Sequence, residues 1–256
     1  MILLGSCNIE DKAREVSIVE ELTKGNYTIF DLTHELSNTS PFWPNETGNP
    51  FQYDTIFSQE SGAPGMGAYS TPEHFGTHID APIHSADQQK SVHELQPKDL
   101  FGYGMVLDVT EKCIMNADYK LSKQDILTWE EENGLIPDNT IVIMYTGWCK
   151  KWEDYNAYKN QDEKGEMHFP GFSEEAARFL IEERSINGIG IDTFSVDAAI
   201  SNGFPVHSIV NGAGKFSLEN MANIHLLPRS GIYLTVSPVK ILGGSGGQVR
   251  IFAIVD

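Results

Sequence analysis

Apolar residues recur along the chain with the spacings of both helix and strand. In IEDKAREVSIVEELTK (9–24), Ala13, Val16, Val19 and Leu22 are spaced three apart, with Ile18 adjacent and Gly25 following, which predicts a surface helix. NYTIFDLT (26–33) and GMVLDVT (104–110) are rich in β-branched residues and predict strands. TIVIMYT (140–146) is an unbroken apolar run, the pattern of a strand buried on both faces. Ser122, completed by Asp125 as a capping box, opens a helix through Glu132 that Gly134 stops. Ser173, with Glu174 and Glu175 in the first turn, opens another that runs to about Arg184. NGIGIDT (187–193) predicts a short strand, and GIYLTVSPVKI and VRIFAIV two more, joined by GGSGG (243–247) as a flexible turn.

Two stretches break these periods. LSNTSPFWPNETGNP (36–50) is turn-rich, and its Phe42 and Trp43 suit either a packed surface loop or an aromatic wall for an apolar substrate. Residues 147–169 carry Trp148, Trp152, Tyr155 and Tyr158 among polar residues and predict an excursion loop. There is no internal repeat and no low-complexity linker, so a single domain over 1–256 is expected, with 1–25 as a helical extension.

Composition narrows the function classes. Hydrophobic content of 40% and charged content of 21% are those of a soluble globular protein. A net charge of −18 argues against a nucleic-acid partner, since little would neutralise phosphates. No apolar run is long enough to span a membrane, and MILLGSC is too short for a signal peptide, so it is read either as the stub of a trimmed one or simply as the start. Cys7, Cys113 and Cys149 form no CxxC pair and are odd in number, which favours a reducing, cytoplasmic setting. The sequons at Asn26, Asn38 and Asn45 point faintly to secretion as the alternative.

The chemistry concentrates in TPEHFGTHIDAPIHSA (71–86), where His74, His78, Asp80 and His84 fall within eleven residues. Imidazole nitrogens and a carboxylate are ligands for a divalent first-row metal. Full extension would hold His74 and Asp80 roughly 20 Å apart at about 3.3 Å per residue. The segment must therefore bend, and Gly76 can supply the bend. A second cluster, GFPVHSIVNGAGKFSLENMANIH (203–225), holds His207 and Glu219 as candidate ligands, each ordinary alone. GGSGG lacks the context of a phosphate loop and the spacing of a serine-nucleophile elbow.

HFGTHIDAPIH resembles the H-x-G-T-H-x-D-x-P-x-H motif of the metal-dependent cyclase superfamily, which includes bacterial-type kynurenine formamidases and isatin hydrolases. DLTHELSNTSPFWPNE, TGW (146–148), FPGFSEEAARFL, GIDTFSVD and HSIVNGAGKFSLENMANIHLLP are similar to further family elements in the same order. The sequence departs from the pattern at Asn45-Glu46 after the Trp-Pro element and at Ser85 after the last motif histidine, both near the expected substrate pocket. The resemblance implies an α/β fold of swivelling β/α architecture with a mixed, barrel-like sheet, assembled as a homodimer or homotetramer. It implies His74, His78 and Asp80 as ligands of a first metal, with Asp80 bridging to a second shared with His207 and Glu219, and His84 as catalytic acid/base.

The expected activity is metal-dependent hydrolysis of a small aromatic amide, formamide or lactam, with Zn2+ or Mn2+ at one or two sites. Phe42, Trp43 and Phe75 are the expected substrate contacts, and Thr77, Ser195 and Asp197 either orienting groups or turn caps. A non-catalytic metal- or ligand-binding protein is the alternative, which the presence of His84 disfavours.

Overall fold

The computed structural model describes residues 24–25, 27–44 and 48–255. The helix expected over 9–24 lies outside them apart from Lys24, as does Asn45-Glu46. The described residues form twelve strands: β1 (Thr28–Asp31), β2 (Gln52–Phe57), β3 (Met66–Ser70), β4 (His78–Asp80), β5 (Phe101–Asp108), β6 (Lys120–Leu121), β7 (Ile141–Tyr145), β8 (Gly171–Phe172), β9 (Gly188–Ile191), β10 (Phe216–Glu219), β11 (Ile232–Pro238) and β12 (Gly246–Val255). Among the described residues five α-helices have full bounds: α1 (Thr110–Met115), α2 (Lys123–Asn133), α3 (Tyr155–Lys159), α4 (Glu174–Arg184) and α5 (Pro205–Gly212). None is long and apolar enough to cross a membrane.

The main sheet runs β1-β12-β11-β5-β7-β9-β10-β4, and β4 also pairs with the start of β12. Seven strands thus close into a mixed barrel, with β1 added alongside β12. β5, β7, β9 and β10 are parallel, and the remaining ladders are antiparallel. β7 shows why its run is apolar throughout. Ile141, Ile143 and Tyr145 pack inside the barrel with Ile79, Leu218, Leu234 and Ile251. Val142 and Met144 face outward, against Ile126 and Trp129 of α2 and Phe179 and Leu180 of α4. Period-two alternation with both faces buried leaves no polar position.

The helix ends follow their sequence signals. Ser122 and Asp125 form the expected capping box, and Gly134 ends α2 at φ +88°. Ser173 caps α4 through the N–H of Ala176.

Two expectations need correction. Residues 147–169 are not a solvent loop: they carry α3, and Trp148, Trp152, Tyr158 and Phe169 pack with Phe194 as a third core cluster. GGSGG is not a free turn, because Gly246 already belongs to β12 and pairs with Asp80. Residues 205–212, for which the sequence predicts no element, form α5.

Candidate metal centre and aromatic pocket

The bend required by TPEHFGTHIDAPIHSA occurs at Gly76, where φ is +67° and a Cβ would stand 2.4 Å from Leu36. It folds His74 back over β4, so that Nδ1 of His74 lies 2.6 Å from Oδ1 of Asp80. β4 then ends as Pro82 opens a short 3-10 turn that carries His84. The ring centroids of His84 and His74 are 4.0 Å apart.

β4 lies between β10 and β12, with His78 opposite Glu219 in the β10 ladder. Nε2 of His78 stands 3.3 Å from Asp80 Oδ1 and 3.3 Å from Glu219 Oε2. From α5, Nε2 of His207 stands 3.3 Å from Asp80 Oδ2 and 3.2 Å from Glu219 Oε1. Two sets of three donors converge, His74/His78/Asp80 and Asp80/His84/His207, with Asp80 common to both. Glu219 belongs to neither set but touches a histidine of each.

The electrostatics are those of a site short of positive charge. Asp80 is wholly buried and His78 2% exposed. Burial alone would pull His78 down, but the carboxylates of Asp80 and Glu219 outweigh it and raise its pKa to about 10. His207 is held well above the ordinary range because Asp197, Asp80 and Glu219 overcome the cost of burial. Asp80 is held well below its ordinary value, since its histidine neighbours outweigh desolvation, and Glu219 is lowered in the same way. Both imidazoles thus favour the charged form beside two buried carboxylates, and a divalent cation would supply the same compensating charge. Nε2 of His78 and Oδ2 of Asp80 are moreover buried without a hydrogen-bond partner. Unpaired buried donors and acceptors are costly, and ligation would satisfy both. The residues present therefore fit a divalent metal.

Supporting contacts fix the rings. Nδ1 of His78 donates to the carbonyl of Gly76 at 2.9 Å, and Nδ1 of His207 to Asp197 at 2.7 Å. Of the candidate orienting groups, Asp197 contacts a site histidine. Thr77 is tied to backbone, donating to Asn220 O and accepting from His34 N. Ser195 accepts from the Asp197 N–H in a turn.

Above these donors opens a cavity of about 380 Å³, lined by Phe42, Trp43, Phe75, His84, Phe194 and Phe204 among others. Phe42, Trp43 and Phe75, singled out in the sequence, are thus brought together with the histidines. Phe42 stacks on Tyr155 at 4.5 Å, and Trp43 makes ring contacts with Phe169, Phe194 and Phe204. Ser85 also lines the cavity. Burial lowers the pKa of His84, only partly countered by Asp80, so its ring is neutral near pH 7.

The sequence reading missed Phe194, Phe204 and Asn220. Phe194 and Asn220 lie inside the motifs GIDTFSVD and FSLEN, beside residues that were singled out. Asn220, at φ +52°, donates to the carbonyl of Gly76 and accepts from Tyr158 Oη, pinning the histidine loop to the end of β10.

The Cyclase family model matches residues 30–198. The chain belongs to the cyclase family. Among its cyclase-family relatives, an isatin hydrolase of Roseibium aggregatum is 32% identical over 191 residues, covering 72% of each chain. A kynurenine formamidase of Geobacillus thermodenitrificans is 29% identical over 222 residues, 86% of this chain and 94% of the relative. The solved structure of isatin hydrolase A from Labrenzia aggregata, bound to benzyl benzoate, superposes with a TM-score of 0.86 at 35% identity, covering 93% of this chain and 97% of that one.

Proposed function

We propose that this protein is a metal-dependent hydrolase that cleaves a carbon–nitrogen bond in a small aromatic amide, formamide or lactam. The observation that carries the reading is the pair of unpartnered buried atoms, His78 Nε2 and Asp80 Oδ2, among converging donors at the floor of an aromatic-walled cavity. His74, His78, Asp80, His207 and Glu219 would hold one or two ions, Zn2+ or Mn2+. Asp80, common to both donor sets, supports two. A bound divalent cation supplies Lewis acidity, lowering the pKa of water and polarising a carbonyl oxygen.

The chain's own groups supply the rest. His84, neutral and at the cavity edge, accepts the proton of the attacking water and delivers it to the leaving nitrogen. Phe42, Trp43 and Phe75 flank the substrate ring and exclude water from the reacting carbonyl. The isatin hydrolase and kynurenine formamidase relatives support an aromatic ring beside the scissile amide. Homo-oligomerisation belongs to the same reading. It is supported by the β2–β3 hairpin, whose Tyr53, Ile56, Phe57, Met66 and Tyr69 are all exposed.

The test is metal analysis of the purified chain, followed by assay of the Zn2+- and Mn2+-loaded protein on isatin and on N-formylkynurenine. Turnover of either supports the reading. A chain that retains no metal and gains no activity with either ion overturns it.

A further inference from the structure

The turn between β11 and β12 does more than connect two strands. Ser245, at its centre, reaches the edge of the donor cluster across 171 residues of sequence. Its Oγ lies 3.0 Å from Nε2 of His74 and 2.6 Å from Oε2 of Glu73. The same carboxylate oxygen accepts from the Ser245 N–H at 3.0 Å. The backbone of the turn is fastened as well: Ala81 N–H donates to Ser245 O, and Val92 N–H to Gly244 O, each at 2.9 Å.

The flanking glycines explain the composition of GGSGG. A Cβ on Gly244 would stand 2.9 Å from Oε1 of Glu73. One on Gly246 would stand 2.4 Å from the carbonyl of Ile79 and 2.7 Å from Cε1 of His74. These glycines are therefore required for close approach, and what they let the chain approach is Glu73 and His74.

Hydrogen-bond accounting gives the turn a role. A serine hydroxyl has one proton. The short contact to an ionised carboxylate, which can only accept, takes that proton. Toward His74 the hydroxyl oxygen can then only accept, so Nε2 of His74 carries the hydrogen. Nδ1 of the same ring lies 2.6 Å from Asp80 Oδ1, a contact with a carboxylate that either a proton or a bound cation must bridge, so a metal there takes the Nδ1 lone pair and leaves Nε2–H as the ring's one hydrogen. His78 and His207 are set the opposite way: their Nδ1 atoms are held by Gly76 O and Asp197, and Nε2 points inward.

We infer that Glu73 and Ser245 are positioning residues that fix the Nε2–H tautomer of His74, so that His74 presents Nδ1 to the metal while His78 and His207 present Nε2. The inference rests on the metal-hydrolase reading for its consequence, whereas the Glu73–Ser245 contact that places the hydrogen on Nε2 is a property of the chain.

The experiment is long-range 1H–15N correlation of the histidine rings, with chelator-competition titration of Zn2+, on wild type, Ser245→Ala, Ser245→Thr and Glu73→Ala. Wild type is expected to show Nε2–H for His74. Ser245→Ala and Glu73→Ala are expected to lose the single tautomer and to weaken Zn2+ binding by about 10–100-fold, the usual cost of losing a ligand's outer hydrogen bond. Ser245→Thr, which keeps the hydroxyl, is expected to restore both, a rescue that a merely space-filling role would not produce. A wild-type His74 with no hydrogen on Nε2, or Ser245→Ala with an unchanged tautomer and unchanged affinity, overturns the inference. A wild-type chain that binds no Zn2+ but shows the Nε2–H ring overturns the metal reading and leaves the Glu73–Ser245 assignment standing.

Discussion

Asp197 grips His207 from three directions. Its Oδ2 accepts from Nδ1 of the ring at 2.7 Å and from the backbone N–H at 3.1 Å, while Oδ1 accepts from the N–H of Val206 at 2.9 Å. The carboxylate therefore fixes the first turn of α5 and the ring it carries in one arrangement, with Nε2 turned to Asp80 and Glu219. Asp197→Asn keeps the shape but removes the charge, and one amide face offers donors where acceptors are needed. The variant is expected to fold and to bind Zn2+ or Mn2+ about 10–100-fold more weakly, measured by competition with a chelator. Unchanged affinity would mean that the ring is oriented by packing alone.

His84 stands in one of the two donor sets, beside Asp80 and His207, and its ring centroid is 5.5 Å from that of His207. Geometry alone would let it ligate or shuttle a proton, and the two roles separate on substitution. As the acid/base, His84→Ala is expected to keep its metal content and lose about 10²–10⁴-fold in kcat. Metal analysis beside a rate measurement decides between them: loss of metal assigns His84 to ligation, and wild-type turnover removes it from the reaction.

Trp43 is 46% exposed and Phe204 54% exposed at the mouth of the cavity, and the two rings are 6.4 Å apart. Large apolar rings held open to solvent gain by covering a ligand. Trp43→Ala is expected to raise KM for an aromatic amide about tenfold, the loss of about 1.4 kcal/mol of ring contact, with a smaller effect on kcat. Steady-state kinetics test this. A fall in kcat at constant KM would place Trp43 in the chemistry instead of in recognition.

What could be read from the sequence follows the range of the interactions. The histidine cluster was legible because four donors sit within eleven residues around Gly76, whose bend any divergent placement would have had to avoid. β7 was legible because burial on both faces leaves a continuous signal. His207 was harder. The segment VHSIV around it is β-branched and reads poorly as helix, while Pro205 at the first turn and a buried face make it α5. The hairpin gave no signal because all eleven residues of β2 and β3 are exposed, so no alternation marks a buried face. Ser245 was misplaced for a physical reason as well. Glycine on both sides signals either freedom or close approach, and only the neighbouring Glu73 and His74 distinguish the two.

His34 carries a last prediction, independent of the metal. Its ring stacks on Trp152 at 3.9 Å with the planes 7° apart, and Nε2 is buried with no hydrogen-bond partner. Burial pushes its pKa from 6.5 down to about 4. In the unfolded chain the ring takes up a proton near pH 6.5, whereas in the folded chain it resists until about pH 4. The unfolded state therefore binds more protons between these values, and the folded state loses stability as pH falls through them, by up to about 3 kcal/mol at the lower end. Above pH 7 the term is flat. His34→Phe retains a ring for the stack and removes the titration. Urea unfolding of the metal-free chain at pH 7.5, 6 and 5 is expected to show wild type weakening more steeply than the variant. Parallel pH profiles for the two proteins would show that the ring gains a proton-compatible partner on folding and that its burial carries no penalty.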